Sequence, residues 1–388
     1  MEKLKLGILG FGNMGSCHSD NIAKGKTKNI ELCAICDIDE ERRKKARELY
    51  PDVKVFETAE EMYKSGLIEA VLLVVPHYDH PKYAIMAFEN NLHVITEKPA
   101  GVYTKQVVEM NEAAKNTDKK FSIMFNQRTN PLFIKLKKMI ESGMLGNIKK
   151  AIWIVTDWYR PDSYHRSGTW RGTWEGEGGG TIMNQNPHNL DLWQWWFGVP
   201  DKVTAYCSYG KYHDLECDDD VTAYFQYDNG MVGIYTTSTA EFPGTNRLEV
   251  SCDFGKVVIE EGNLTFYRAD ISEREYNEQA TGFGGGNTVW KSELYYKPDM
   301  NFNQHSVVLD KFAEDIRGVG KMVTEGIEGI NEMTLANAIY MSDWLGNIAV
   351  STKDFDHDKY YEMLQEKIKN STFKKVTKKE TLNTEGTY

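Results

Sequence analysis

Four stretches of this 388-residue chain bring together residue types with chemical capacity. The first is Gly10-Phe-Gly12-Asn13-Met14-Gly15, directly after an apolar run and before a helical stretch. In such a turn the first glycine permits the tight bend, the second lets a pyrophosphate approach the backbone, and the third lets helix and strand pack closely. The helix N-terminus then offers N–H groups and a positive dipole end to phosphate, with Asn13 and Met14 at that edge. The second is the end of the next apolar run, where Asp37, about 20 residues further on, fits the acid that accepts hydrogen bonds from an adenosine ribose. It favours NAD over NADP because a carboxylate repels a 2′-phosphate. The third stretch is Thr96-Glu97-Lys98-Pro99, at the carboxyl edge of a strand, where ligands bind in this architecture. The fourth is Gly178-Gly-Gly-Thr-Ile-Met-Asn184-Gln-Asn-Pro-His188-Asn-Leu-Asp191.

The elements that must position these residues fall into two grammars. Up to residue 125, short β-rich runs alternate with helix formers: Leu4 to Leu9, Glu31 to Cys36, Val53 to Phe56, Ala70 to Val75, His93 to Thr96 and Phe121 to Phe125. Alternation of this kind implies right-handed βαβ units and a doubly wound parallel sheet. After Asn126 one amphipathic helix is followed by successive strand-like segments, with Asp228-Asn-Gly230 as a hairpin turn. The expected fold is α/β: an N-terminal Rossmann domain over 1–125, then an α+β substrate-binding and oligomerisation domain over 126–388 with a large, mostly antiparallel open sheet. The polar, Lys-rich tail after Lys367 reads as a solvated or weakly docked terminus with no binding role.

Composition narrows the function. A net charge of −11 without a broad basic patch argues against nucleic acid or an anionic membrane as partner. No apolar run approaches the ~20 residues of a spanning helix. The opening residues do not read as a signal peptide, and six cysteines in this length suit a reducing cytoplasm. Cys33-x-x-Cys36 lies in a strand-like run, where positions three apart face opposite sides, so no redox or metal role is expected. In Pro76-His77-Tyr-Asp-His80 the residues Pro76, His77 and His80 are read as cofactor contacts and a helix cap, not as metal ligands. The acidic run His213-Asp-Leu-Glu-Cys217-Asp-Asp-Asp220 reads as a solvated loop, and Gly282-Phe-Gly-Gly-Gly286 as a mobile one.

The Gly-rich turn, Glu97-Lys98-Pro99 and the triple glycine followed by His188 together resemble the glucose-fructose oxidoreductase and inositol dehydrogenase family, Gfo/Idh/MocA, over nearly the whole chain. The resemblance implies that Lys98 sits beside nicotinamide and the substrate hydroxyl, with Glu97 next to it, and that His188 is the acid/base. It also places Trp170-Arg171 near cofactor and substrate, and Asn126-Gln127-Arg128 under the nicotinamide, with a contact from Gln127 or Arg128. This family commonly has Asp where the chain has Asn184. An amide cannot act as a general base, so Asn184 is left to position substrate.

The pair suits hydride transfer. Imidazole titrates in the range needed to take a hydroxyl proton, and an ammonium stabilises the developing alkoxide. Asp191, three residues after His188 on a helix from Pro187 to Phe197, could orient the ring. Tryptophans crowd around the triple glycine. Trp193 and Trp196 read as core, whereas Trp158, Trp170 and Trp174, with Asp157, Arg160, Tyr164, His165 and Arg171, read as the wall of a sugar pocket. The expected activity is NAD-dependent hydride transfer to or from a secondary hydroxyl of a sugar, glycoside or cyclitol. It requires Lys98 and His188 to meet at one face of the nicotinamide. A redox-neutral NAD-dependent glycosidase and a non-catalytic sugar sensor are the alternatives. A homodimer or homotetramer through the open sheet is expected.

Overall fold

The computed structural model describes residues 2–283, 289–296 and 303–375. The chain divides into two compact units, Met1–Thr129 with Asp299–Met333, and Asn130–Pro298 with Thr334–Tyr388.

In the first unit six parallel strands are ordered β3-β2-β1-β4-β5-β6. They are β1 (Leu4–Leu9), β2 (Ile30–Cys36), β3 (Lys54–Phe56), β4 (Ala70–Leu73), β5 (His93–Thr96) and β6 (Phe121–Ile123). Helices must cover both faces of such a sheet, so its strands are apolar almost without alternation; all four residues of β4 are buried. The expected division into 1–125 and 126–388 needs correction, because the chain returns to this unit. Val308, Leu309, Phe312 and Ala313 of the helix Gln304–Ile316 join Leu4, Leu6, Ile8, Ile95 and Met124 in one core. Asp310 caps the entry to β2 by accepting from the backbone N–H of Lys28 and Asn29 at 2.8–3.0 Å. The physical reason is plain: an amphipathic stripe states that a helix must bury one face, not which sheet will receive it.

The second unit holds a nine-stranded sheet ordered β14-β13-β12-β11-β7-β10-β9-β8-β15. Its strands are β7 (Ile148–Val155), β8 (Lys202–Tyr209), β9 (Asp218–Gln226), β10 (Val232–Ser238), β11 (Asn246–Cys252), β12 (Gly255–Glu260), β13 (Asn263–Ala269), β14 (Val289–Tyr295) and β15 (Val350–Ser351). All its pairs are antiparallel except β10 with β7. The pattern of β9 shows why one face is covered: Val221, Ala223 and Phe225 are buried, while Thr222, Tyr224 and Gln226 alternate outward. The covering helix is Pro187–Phe197, and its Trp193 lies so close over β10 that a side chain at Gly233 would meet the indole at 2.3 Å. Trp193 and Trp196 are core, as read from the sequence. Trp174 is a correction. It is 3% exposed and packs edge-on against Tyr209, Tyr340 and Trp344 instead of lining a pocket.

The polar run past Lys367 begins inside a helix, His357–Lys369, which buries Tyr360 and Leu364. The rest of that tail beyond residue 375, and residues 284–286 of the glycine-rich run, lie outside the described residues. Among the described residues, no helix is long and apolar enough to cross a membrane, and no cluster of three metal-ligating side chains occurs.

Candidate active site

The dinucleotide end of the first unit is built from backbone. Gly10 has φ +98°, and a Cβ there would lie 2.3 Å from the Val74 carbonyl oxygen. A Cβ on Gly15 would lie 2.0 Å from the Gly10 carbonyl oxygen. Space opens over Gly12, where a Cβ would meet only Arg42 Nη1 at 3.8 Å. The helix Asn13–Ala23 starts there with no side-chain cap and no acid in its first turn. This is a cradle that accepts an anion, so the residues fit the pyrophosphate of a dinucleotide. Gly15→Ala is expected to pry helix from strand and weaken NAD binding about tenfold to a hundredfold, checked by fluorescence titration.

Asp37 is 5% exposed and held by the same loop. Its Oδ2 accepts from Phe11 N at 2.6 Å, and its Oδ1 from Asp39 N at 2.9 Å. A carboxylate has about four acceptor sites, so capacity for ribose hydroxyls remains. Arg42 Nη1 lies 3.5 Å from Oδ2 on a half-exposed side chain.

Lys98 follows β5 and is half-buried. Beneath it Glu97, 6% exposed, receives His18 Nε2 at 2.7 Å on Oε1 and the Lys98 backbone N–H at 3.2 Å on Oε2. Burial opposes ionisation of Glu97, but the His18 hydrogen bond, with electrostatic contributions from His18, His305 and Lys98, outweighs it and brings the carboxyl down to about 2. The His305 ring packs edge-on against His18, with centroids 5.4 Å apart. Burial first, then His18, pulls the His305 pKa down to about 4. Neither histidine stood out in the sequence; the only signal for His18 was its place one turn into the glycine-rich helix.

These shifts set an acid limit on stability. Between about pH 6.5 and 4 the unfolded chain protonates His305 while the folded one does not, so stability is full above 6.5 and falls toward 4 by up to about 3 kcal/mol. Glu97 adds a second loss as pH falls from about 4.5 toward 2. Urea melts at pH 7.5 and 4.5 are expected to show a smaller acid loss for His305→Gln than for the unmutated protein.

Two expected contacts in this unit stand differently. His80 is 1% exposed, and its Nδ1 and Nε2 face the carbonyls of Pro99 and Val75 at 2.8 and 2.9 Å. Its expected cofactor contact is corrected: the ring ties two loops together. Arg128 is 4% exposed and pairs at 2.8 Å with Glu328, whose side chain stays partly exposed, so the contact with substrate or cofactor expected of Arg128 is corrected to an ion pair within this unit. Gln127 beside it is partly exposed, Pro76 is exposed and His77 is buried. In the C-x-x-C string burial pushes the Cys36 thiol up to about 12, which leaves it inert.

In the second unit the triple glycine leads into a wide helical turn, Thr181–Gln185, where Asn186 N donates to Thr181 O five residues back. Such π-helical turns are frequent at functional sites. The turn presents Asn184, and the next helix starts with Pro187 and His188; both Asn184 and His188 are partly exposed. Asp191 is fully buried and accepts from Gln194 Nε2 at 2.9 Å.

Around Asn184 lies a connected network. Arg171 is stacked between Tyr164 and Trp170, 4.2 and 4.4 Å from their ring centroids. It donates through Nη1 to Tyr164 Oη at 2.5 Å. Arg160 stands over Tyr164 and Trp158 at 5.0 and 5.5 Å. Expected pocket residues Trp158, Tyr164, Trp170 and Arg171 thus gather in one cationic and aromatic wall. Glu177, unnoticed in the sequence between its glycines, sits under it and contacts Asn184.

The acidic run that leads into and opens β9 is not a solvated loop. Asp218 is 1% exposed and accepts from Gly180 N, Ile182 N and Tyr340 Oη at 2.8, 2.9 and 2.6 Å. Asp219, fully buried, accepts from the backbone of Lys211, Tyr212 and His213. Aspartates so placed are internal anchors, and composition alone does not distinguish them from surface acids.

Comparison with known proteins agrees with this layout. The chain resembles scyllo-inositol 2-dehydrogenase (NADP(+)) IolW of Bacillus subtilis, 29% identical over 209 residues, 53% of this chain and 55% of that protein. It resembles inositol 2-dehydrogenase of Corynebacterium glutamicum, 29% identical over 148 residues, 38% and 44% of the two chains. The match spans about half the length of these relatives. Among solved structures, the WlbA dehydrogenase of Chromobacterium violaceum in complex with NADH and UDP-GlcNAcA superposes with a TM-score of 0.76 at 26% identity, covering 90% of this chain and 96% of that one. Residues 4–125 match the family model for the oxidoreductase family with an NAD-binding Rossmann fold, and residues 133–258 match that for the GFO/IDH/MocA C-terminal domain. With the nucleotide cradle at one end of the chain and the triple-glycine turn in the other unit, these matches place the protein in the Gfo/Idh/MocA oxidoreductase family.

Proposed function

We propose that the chain is an NAD-dependent oxidoreductase transferring a hydride between nicotinamide and a secondary hydroxyl of a sugar, glycoside or cyclitol. The observation that carries the reading is Lys98, held by the buried Glu97–His18 pair at the carboxyl end of β5 in an NAD-binding unit. Bound nicotinamide supplies the hydride acceptor. Lys98 stabilises the oxygen as negative charge develops, His188 takes the hydroxyl proton, and Asn184 with Tyr164 orients neighbouring hydroxyls. The wall of Trp158, Tyr164 and Trp170 suits C–H faces of a saturated ring. The names of the relatives, inositol dehydrogenases, support a polyhydroxylated ring as substrate. Asp37 supports NAD over NADP. Six unpaired cysteines support a cytoplasmic setting, and the outward tyrosines Tyr206 and Tyr224 on the open sheet support assembly with further copies of this chain.

The test is absorbance of reduced nicotinamide when protein and NAD meet a panel of sugars, glycosides and cyclitols. At least one compound is expected to turn over. Silence across the panel, with NAD bound, would overturn the reading; glycoside cleavage without net reduction of NAD would replace it by the redox-neutral class.

A further inference from the structure

Asn184 leaves the hydroxyl-binding turn without the carboxylate that the family resemblance places at this position. The carboxylate of Glu177 lies against it instead. Glu177 is 3% exposed, and its Oε2 accepts from Gly172 N at 2.5 Å. Its Oε1 accepts from Asn184 Nδ2, with Arg171 Nη1 3.9 Å away. A carboxylate only accepts, so the amide facing it must present its NH2 group. The far side of the amide is fixed independently. Tyr164 Oη accepts from Arg171 Nη1 at 2.5 Å and Gln185 Nε2 at 3.2 Å, which leaves its own proton directed at Asn184 Oδ1, 3.5 Å away. Both ends of the network therefore select one orientation of the amide.

We propose that Glu177 is a positioning residue that locks the Asn184 amide with Oδ1 as the acceptor for a substrate hydroxyl, replacing at one remove the carboxylate missing at position 184. The proposal rests on the sugar-oxidoreductase reading above. It adds a substrate requirement: a hydroxyl that donates to Asn184, next to the one that is oxidised. Burial raises the pKa of Glu177, opposed by Arg171 and by the Gly172 N–H. Those donors favour the charged form that the lock needs.

The decisive experiment exchanges the two side chains in the full-length protein: Glu177→Gln, Asn184→Asp and the double variant. Glutamine has the shape of a protonated Glu177 but can turn its own NH2 toward Asn184 and release the lock. Glu177→Gln is expected to lower kcat/KM about tenfold to a hundredfold, mainly through KM for the sugar, with NAD affinity unchanged. Asn184→Asp puts two carboxylates in contact and is expected to lose activity and melting temperature together. The double variant restores one carboxylate facing one amide, and is expected to recover both. Unchanged kinetics in Glu177→Gln, or a double variant no better than the worse single one, overturns the proposal. Should the unmutated protein turn over no sugar at all, the functional reading fails, and the melting temperatures still decide the pair: additive shifts in the double variant refute it.

Discussion

Lys98→Met is expected to bind NAD as tightly as the unmutated protein and to lose turnover by about a thousandfold or more. Methionine keeps the unbranched apolar stem of lysine and drops the ammonium, so the change removes charge with little change of shape. On the proposed function, what is lost is a positive charge placed where the substrate oxygen becomes negative. Removing one preorganised stabiliser of that kind costs about a hundredfold to a thousandfold in kcat. In the same reading the ammonium also favours departure of the hydroxyl proton. The anchoring groups are expected to stay in place, since Glu97 is held by His18 at 2.7 Å and by the backbone N–H of residue 98, neither of which uses the Lys98 side chain. The Gly10–Gly15 turn and Asp37, proposed here to hold the nucleotide, are not touched by the substitution. His188→Ala is expected to show the same split, with a loss of about a hundredfold to ten thousandfold for removal of a proton acceptor. Steady-state rates set beside NAD titrations check both. Turnover within tenfold of the unmutated protein in either variant would refute the assignment of that residue.

What the sequence disclosed depended on whether the signal was local. The first sheet was legible because a parallel strand buried on both faces reads as an apolar run, and the glycine turn carries its mechanism in its spacing. The strands β7 to β12 were legible from alternation and from the Asn229-Gly230 turn, where Gly230 has φ +87°. β13 and β14 went unassigned, and every residue of β14 is exposed, so it lacks the apolar alternation that marks a half-buried strand. The return of the chain through Gln304–Ile316 was hidden for another reason: its partners lie some three hundred positions earlier. Polar residues were hardest. Arg128, His80, Asp218 and Asp219 look like site residues or surface charges by type, and only their burial against named donors and acceptors shows them to be internal ties. Glu177 failed to register because it is a charged residue in a glycine-rich stretch, which normally signals a solvated loop.

Asp218→Ala is expected to cost about 3–5 kcal/mol of stability and to disorganise the turn that carries Asn184 and leads to His188. Three donors converge on this one carboxylate: Gly180 N and Tyr340 Oη on Oδ1, and Ile182 N on Oδ2. None has water to fall back on, since Gly180, Ile182 and Tyr340 are all buried. An unsatisfied buried donor costs about 1–3 kcal/mol, and loss of a buried charged partner lies at the upper end of what single substitutions do. The surroundings cannot collapse to recover the loss. A Cβ on Gly180 would already lie 2.1 Å from the Asp218 carbonyl oxygen, and one on Gly179 would lie 2.3 Å from Tyr340 Oη. Asp218→Asn separates shape from charge. Its oxygen can still serve the two donors now on Oδ1, but its NH2 then opposes the N–H of Ile182, so an intermediate loss is expected. Urea denaturation of the three proteins, with unchanged slope and lowered midpoint, measures the series. An alanine variant within 1 kcal/mol of the unmutated protein would show that the triple-glycine turn holds its shape without Asp218.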